Sequence, residues 1–382
     1  MSDGSGNFHH SIIESQRNEV FGPKWAVDVF LFCKIDYFIF CVSRYNVLFL
    51  SIRFNTDNTM KKILYLIASA ALLLTACGKE KQEVRLLYWN IQNGMWDGQS
   101  DNYNRFVEWT KAQNPDICIW CEAQSKWKTN TAILMEKQER YLVDNWDVLA
   151  RRYGHKYIYI GGHHDDFPQV ITSKYPIHNK ARILGNKSDT LVCHGCGWAT
   201  VEKNGKTLNF VTVHTWPQRY GYGVKKEDRQ RSSEAHEGDY FRRTEMEYIL
   251  NHTIGLCPHG EKELWMMLGD FNALSPLDND VYKLPENSSE FLVHNYILKH
   301  SPYIDVIKEK HPHQFKPTWA DGKQRIDFVY ATRPLYNMIK TATVVWDNYT
   351  TPVRNSEKTG GFYFWRPADH LPIMMDLDLS IQ

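Results

Sequence analysis

The sequence predicts an α/β fold, with one large domain that follows a leader segment. Apolar strand-like runs alternate with helix-like segments along the chain, and no Gly/Ser-rich or Pro-rich linker interrupts them. Hydrophobic residues make up 43% of the 382 residues, which is enough to build a core and excludes a wholly disordered chain. No repeat of roughly 20–50 residues is visible, which argues against a solenoid or a propeller.

Runs rich in apolar and β-branched residues, bounded by turn residues, predict the strands. In chain order these are 84–92, 116–123, 155–162, 169–177, two strands within 197–217, 263–272, 325–332, 340–347 and 372–379. The Asn204-Gly205 pair inside 197–217 is typical of a hairpin turn. Helices are predicted over 101–113, 130–153 and 227–254. Asn114-Pro115 stops the first helix and Gly154 stops the second.

Residues 60–76 have the features of a bacterial lipoprotein signal peptide. Lys61 and Lys62 precede an apolar run that is shorter than a membrane span of about 20 residues, and the run ends in the tetrapeptide LTAC. We expect cleavage before Cys77, acylation of that cysteine, and a polar tether over 77–83. An uncleaved anchor helix is the alternative. The expected location is the cell envelope, lipid-anchored and either periplasmic or surface-exposed.

Residues 1–59 precede the predicted signal peptide, although such a peptide normally begins a chain. They mix apolar stretches with scattered charges and show no clear period, so we interpret them as an unstructured upstream read-through before Met60. A membrane hairpin is the alternative, which the charges of Lys34 and Asp36 make costly. The folded domain is then expected over 84–382.

The charge balance restricts how this domain would hold a polyanion. Lys and Arg total 45 against 44 Asp and Glu, for a net charge of +1. There is no global basic excess to bind nucleic acid by charge alone, so only a local patch could do so.

The 13 Trp, 21 Tyr and 18 Phe exceed what a minimal core needs, and we expect some of these rings to line a site.

Polar side chains recur where the predicted strands end. A side chain there is rigidly held and still reaches the surface crevice in which α/β sheets bind ligands. Strand ends are often polar, so one such residue means little. The set mixes acids, amides and histidines, which favours a phosphate-processing site: Asn90, Glu122, His214, Asp270, Asn272, Asp327, Asp369 and His370.

The motifs around these residues resemble the endonuclease/exonuclease/phosphatase family, which has the deoxyribonuclease I-like fold. They are YWNIQNG (88–94), PDICIWCEAQ (115–124), VITSKYPI (170–177), VTVHTWP (211–217), LGDFNAL (268–274), RIDFVY (325–330) and ADHLP (368–372). The resemblance implies a four-layer sandwich of two packed β-sheets flanked by helices. Cys121 replaces the usual Gln before the glutamate, and Ala368 stands where Ser is common. Neither departure removes a catalytic group.

The resemblance implies a metal-dependent phosphoester hydrolase: a nuclease, a phosphodiesterase or a phosphatase. Glu122 is expected to bind Mg²⁺ with support from Asp369, and Mn²⁺ could replace Mg²⁺. Asp270 would accept a proton from the attacking water. The substrate is expected to be a nucleic acid, a lipid phosphate or a sugar phosphate, and the protein a monomer.

The remaining catalytic and binding roles also follow the family positions. His370 would donate to a phosphoryl oxygen while Asp327 fixes its tautomer, and His214 would be a second donor. Asn90 and Asn272 would donate amide hydrogens to the phosphate.

An aromatic and basic segment follows His214. We expect Trp216 and Tyr220 to stack on a base or sugar, with Arg219 nearby to contact a phosphate. An ordinary surface loop is the alternative for this segment.

Two further clusters suggest metal or redox chemistry by composition alone. Cys118 and Cys121, with Cys193 and Cys196, could form a structural zinc site, but positions three apart on a strand face opposite sides. We therefore interpret the first pair as core cysteines, whereas the second pair could form a local disulfide. The HHDD run at 163–166 is expected to be a solvated loop.

A function from another class remains open at this stage. The chain could be a catalytically silent surface lipoprotein that binds a glycan or a partner in the same crevice. The presence of the full polar set disfavours that interpretation.

Overall fold

The computed structural model describes residues 38–39, 50–51, 82–95, 101–123, 145–162, 167–185, 192–359 and 362–381. The chain divides into two compact units, Met1–Cys77 and Gly78–Gln382. In the first unit, β1 (Phe38–Ile39) pairs antiparallel with β2 (Leu50–Ser51). The predicted signal peptide and its cysteine lie outside the described residues. Nowhere in the described ranges is a helix both long and apolar enough to cross a bilayer.

The second unit contains the remaining strands. They are β3 (Glu83–Asn90), β4 (Ile117–Cys121), β5 (Tyr157–Gly161), β6 (Gln169–Ser173), β7 (Ile177–Ile183), β8 (Cys196–Lys203), β9 (Lys206–His214), β10 (Leu264–Asp270), β11 (Tyr303–Asp305), β12 (Asp327–Thr332), β13 (Ile339–Val344), β14 (Val353–Thr359), β15 (Phe362–Arg366) and β16 (Ile373–Asp378). One sheet has the order β13-β16-β3-β4-β6-β5 and the other β11-β12-β10-β9-β8-β7, while β14 and β15 form a separate hairpin.

The two large sheets pack face to face around a central apolar core. Leu86 and Ile119 of the first sheet share this core with Phe210 and Leu268 of the second. The backbones of the two sheets approach each other closely at a pair of glycines, where a Cβ added to Gly161 of β5 would lie 2.9 Å from the Cα of Gly197 on β8. This inner core is the middle of the sandwich.

Helices cover the outer face of each sheet. Against the first sheet lie Asn104–Gln113 and Trp146–Arg152, and against the second lie Glu237–Asn251 and Leu292–His300. Shorter helices are Gln92–Met95, Arg229–Glu234, Asn279–Tyr282, Val306–Lys310 and Arg333–Met338. The order helix, sheet, sheet, helix confirms the four-layer α/β fold that the sequence predicted.

Parallel pairing inside each sheet brings the predicted site residues to one edge. β3 runs parallel to β4, and β10 runs parallel to β9 with Asp270 opposite His214. β12 runs antiparallel to β10, so its first residue, Asp327, also lies opposite Asp270. A Cβ at Gly269 would lie 1.8 Å from the Val213 carbonyl oxygen, so only glycine permits this approach.

Several boundaries differ from the sequence prediction for local reasons. The first predicted strand ends at Asn90, because Gln92 and Asn93 take left-handed conformations. The predicted strand 169–177 is two strands, β6 and β7, that belong to different sheets. The hairpin turn is confirmed, with positive φ at both of its central residues. Of the helix predicted over 130–153, the described part is helical over Trp146–Arg152, and 124–144 lie outside the described residues.

Candidate active site

Asn90 connects the two sheets at the edge where their strands end. Its side chain is fully buried. The amide Nδ2 donates to Asp270 Oδ2 at 3.1 Å and to Glu122 Oε1 at 3.3 Å. One amide therefore fixes the relative position of two carboxylates that come from different sheets.

Glu122 is held from both sides. Its second carboxylate oxygen accepts the backbone N–H of Asn93 at 2.8 Å. The glutamate itself has a φ of 52°, in the left-handed region that non-glycine residues rarely occupy. Such a conformation persists only where the surroundings enforce it, and it is concentrated at functional sites. The carboxylate is therefore oriented before any ligand binds.

Asp270 lies buried behind Glu122 and is fixed by its own loop. Its Oδ1 accepts the backbone N–H of Asn272 at 2.9 Å. The Asn272 side chain donates to the Thr215 carbonyl oxygen at 3.1 Å, which uses one of its two amide hydrogens. The loop after β10 is thereby tied to the loop after β9.

Asp327 and His370 form a direct pair. The imidazole Nδ1 donates to Asp327 Oδ2 at 2.7 Å, and its Nε2 lies 3.7 Å from Asp270 Oδ2. Although burial opposes the charged form, the carboxylates of Asp327, Asp369 and Asp270 raise the pKa of His370 well above its ordinary value. This histidine is therefore a cationic donor at neutral pH.

His214 has the opposite character. Its Nε2 lies 3.9 Å from both Glu122 Oε1 and Asp270 Oδ2. Burial lowers the pKa of His214 well below its ordinary value, and the neighbouring His194 and His370 lower it further. The rings of His214 and His194 stack at 4.3 Å with an interplanar angle of 22°. The site thus places a neutral imidazole opposite a charged one.

In the part of the chain that the structure describes, the acidic side chains of the site have no cationic partner apart from histidine. Within the described ranges, no Lys or Arg forms an ion pair with Glu122, Asp270, Asp327 or Asp369. Burial raises the pKa of Asp270 to about 8 and that of Asp369 to about 6, and in each case the neighbouring carboxylates add to the effect while His370 opposes it. Such an excess of buried negative charge matches a site for a divalent cation.

The donor set also fits a metal ion. Glu122, His214 and Asp270 each offer an atom within 4.8 Å of the others. Asp369, the supporting ligand expected from the sequence, is not a member of this group of three, and its Oδ1 lies 3.8 Å from His370 Nε2. Oxygen ligands that are already oriented by hydrogen bonds are what Mg²⁺ and Mn²⁺ require.

The profile of the endonuclease/exonuclease/phosphatase family matches residues 87–337. The chain belongs to this family. Membership indicates phosphoester hydrolase activity, and members generally depend on a divalent metal. Among curated proteins, no sequence matches this chain.

Solved structures agree with the fold of the family. The chain is similar to an AP endonuclease from Archaeoglobus fulgidus, with 16% identity and a TM-score of 0.51 over 77% of this chain and 99% of that one. It is also similar to the 3′–5′ exonuclease NExo from Neisseria meningitidis, with 16% identity and a TM-score of 0.50 over 77% and 99% of the two chains. At this identity the likeness shows the fold alone.

The aromatic segment after His214 is an ordered loop in this family member. The Trp216 indole N–H donates to the Tyr220 carbonyl oxygen at 2.6 Å, and its ring meets those of Tyr220 and Tyr222 edge to face. The Arg229 guanidinium lies over the Tyr220 ring at 4.6 Å. A role of Trp216 and Tyr220 in substrate binding stays a prediction.

The cysteine pairs do not form a disulfide within the part of the chain that the structure describes. Cys121 faces the inner core and Cys118 the outer core, so the two sulfurs lie on opposite faces of β4, as the period of a strand predicts. The HHDD run at 163–166 lies outside the described residues.

Some residues that support the site were not identified from the sequence. Glu245 is fully buried, and its carboxylate accepts the backbone N–H groups of Cys193 at 2.8 Å and Trp216 at 2.9 Å. It thereby joins the segments that carry the two stacked histidines. No sequence signal marks Glu245, because its partners come from loops distant in sequence. Tyr88, whose O–H donates to Asp327, did have a signal in the sequence, since strand periodicity places its side chain on the same face of the strand as that of Asn90.

Proposed function

We propose that the protein is a Mg²⁺-dependent phosphoester hydrolase that acts at this edge of the sandwich. The observation that carries the proposal is the convergence of carboxylates that have no Lys or Arg partner among the described residues with one cationic and one neutral histidine. Glu122 and Asp369 would hold the ion, and Mn²⁺ would substitute for Mg²⁺. When bound, the ion would neutralise charge on the phosphoryl oxygens.

Three side chains of the protein would supply the general base and the hydrogen-bond donors. Asp270 would accept the proton of the attacking water, a role for which the positive charge of a bound cation would have to lower its pKa from about 8. His370, charged and oriented by Asp327, would donate from Nε2 to a phosphoryl oxygen. His214, neutral and fixed by its ring stack, would donate a second hydrogen bond.

The amide of Asn90 has a supporting part in this scheme. Both of its amide hydrogens already bind carboxylates, so it would orient Glu122 and Asp270, and a contact with the phosphate would require one of these two bonds to break. Asn272 keeps one amide hydrogen for the substrate.

Hydrolysis of a generic phosphodiester, with and without EDTA, tests the proposal directly. We expect turnover that EDTA abolishes and that added Mg²⁺ or Mn²⁺ restores. A parallel panel of DNA, RNA, sphingomyelin and inositol phosphates would then identify the substrate class. Binding of a glycan or partner without turnover of any phosphoester would instead favour the silent lipoprotein.

We also propose that the enzyme is a lipid-anchored envelope protein that begins at acylated Cys77. The signal-peptide features of 60–76 support this proposal. Several acyl chains would give stable membrane attachment, unlike a single chain. Intact-mass analysis of protein from the membrane fraction tests it, and peptides from 1–59 in the mature protein would contradict it.

A further inference from the structure

Tyr88 is a buried residue of β3 that contacts the catalytic pair directly. Its ring is fully buried in the inner core, two residues before Asn90. The phenol O–H donates to Asp327 Oδ1 at 2.6 Å, while Asp327 Oδ2 accepts from His370 at 2.7 Å. The three side chains therefore form one hydrogen-bonded chain, with a donor on each oxygen of the carboxylate.

We infer that Tyr88 is a positioning residue that sets the orientation of Asp327 and, through it, of the His370 imidazole. This inference rests on the proposed function of the Asp327–His370 pair. The backbone N–H of Asp327 is bound to Thr318 Oγ1 at 3.0 Å, which fixes the main chain but leaves the carboxylate free to rotate about its last torsion. His370 holds one carboxylate oxygen of Asp327, and the hydrogen bond from the Tyr88 phenol holds the other against this rotation.

The neighbouring residues of β3 support the same conclusion. The Trp89 indole N–H donates to the His370 carbonyl oxygen at 2.8 Å, from the opposite face of the strand. Asn90 then binds the carboxylates of Glu122 and Asp270. Three consecutive residues of one strand thus hold the side chain of Asp327, the main chain of His370 and the acidic pair.

A purely structural role for the phenol makes a different prediction. A buried hydroxyl needs a partner, and Asp327 would satisfy that need whether or not catalysis depended on it. In that case removal of the O–H would lower the melting temperature and leave the turnover of folded molecules unchanged.

The test compares Tyr88→Phe with Tyr330→Phe in the full-length protein with Mg²⁺. Tyr330 is the matched control, because it is also buried and its O–H lies 2.7 Å from the imidazole Nδ1 of His294, a histidine outside the site. We expect Tyr88→Phe to lower kcat about tenfold and to change KM by less than about twofold, since a lost hydrogen bond to a charged group is a large perturbation. Tyr330→Phe should change neither constant. Circular dichroism gives the folded fraction used to normalise each rate.

A double-mutant cycle shows whether the effect passes through Asp327. In the Asp327→Asn background, adding Tyr88→Phe should change kcat by less than about twofold, because the interaction is already lost. If Tyr88→Phe alone keeps kcat within twofold while Asp327→Asn is strongly impaired, the inference fails and the proposed function stands. If Asp327→Asn retains full activity, the proposed function of the pair itself is wrong.

Discussion

Two clusters of buried carboxylates in this protein differ in what neutralises them. Asp278 and Asp305 surround Arg325, whose guanidinium donates to Asp305 at 2.9 and 2.7 Å and from Nε to Asp278 at 2.7 Å. At the strand edge, in contrast, histidines are the only cationic side chains among the described residues that pair with acids such as Asp270 and Glu122. The two clusters are alike in burial and differ in whether a guanidinium is paired with the carboxylates.

The difference has opposite consequences for the ionisable groups. Although burial opposes its charge, Asp305 and Asp278 raise the pKa of Arg325 above its ordinary value, so the charged state is secured. Asp270 instead has its pKa raised to about 8, which means that its charged form is disfavoured. The cluster around Arg325 therefore holds its charges without a further partner, whereas the carboxylates at the strand edge would need a bound cation to keep them in the charged form.

The largest expected effect distinguishes the metal ligand from the base. Asp270→Asn should lower kcat roughly 10²–10⁴-fold, because an amide cannot accept the proton of water. Glu122→Gln should be similarly impaired at low metal but partly recover at high Mg²⁺ or with Mn²⁺. A metal titration of both variants, with circular dichroism to confirm folding, checks this. Recovery of Asp270→Asn but not of Glu122→Gln would mean that the two roles are exchanged.

A substitution in the cluster around Arg325 should lower the free energy of unfolding and leave the activity unchanged. Asp305→Asn leaves the buried Arg325 short of one anionic partner, which typically costs about 3–5 kcal/mol of unfolding free energy. The folded fraction should retain the wild-type kcat. Urea denaturation with a parallel rate assay measures both, and a tenfold loss of kcat in folded molecules would show that this cluster also serves the reaction.

The Asp327–His370 pair tests whether the acids at the strand edge, unlike those around Arg325, serve the reaction. Asp327→Asn should lower kcat about 10²-fold with little change in fold, because the imidazole loses the carboxylate that fixes its tautomer. Steady-state kinetics on the purified variant gives the value. A loss smaller than tenfold would assign the pair to structure and not to catalysis.

The smallest expected effect is a gain in stability from removing a catalytic charge. In the unfolded chain Asp270 loses its proton near its ordinary pKa of 3.8, whereas in the folded protein it keeps the proton until about pH 8. The free energy of unfolding therefore falls as the pH rises through this window. In EDTA, Asp270→Asn should be more stable than wild type by about 1–3 kcal/mol at pH 8 and no more stable at pH 4. Thermal melts at the two pH values measure this, and a wild type that is the more stable at pH 8 would contradict it.

The residues that the sequence predicted for the site come together in the fold because they stand at strand ends that meet at one edge. Asp270 and Asn272 directly follow a buried apolar run, and Asp327 begins another. The pairing of parallel strands then brings such residues together without further information. The α/β class followed from the apolar strands that alternate with helices, whereas the four-layer sandwich was implied by the resemblance to the family.

Other features depend on contacts that are remote in sequence. Arg325 stands two residues before Asp327 in the same motif, yet its partner Asp278 lies 47 positions away. The pairing of this buried guanidinium with a carboxylate could therefore not be predicted from the sequence. Likewise the chain crosses from one sheet to the other after Ser173, although the sequence there reads as one strand. The helix Leu292–His300 and the hairpin of β14 and β15 were also not predicted.

The way in which Glu122 is held has a consequence for the rate at which the proposed metal ion would bind. Both of its carboxylate oxygens are already bound, one by Asn90 and the other by the Asn93 backbone, so no chain rearrangement is needed when an ion arrives. Mg²⁺ gives up its water reluctantly, so that exchange would be the slow step of metal binding at Glu122. Rapid-mixing experiments should accordingly show a single phase that is faster for Mn²⁺ than for Mg²⁺, and crystals grown without metal should take it up by soaking.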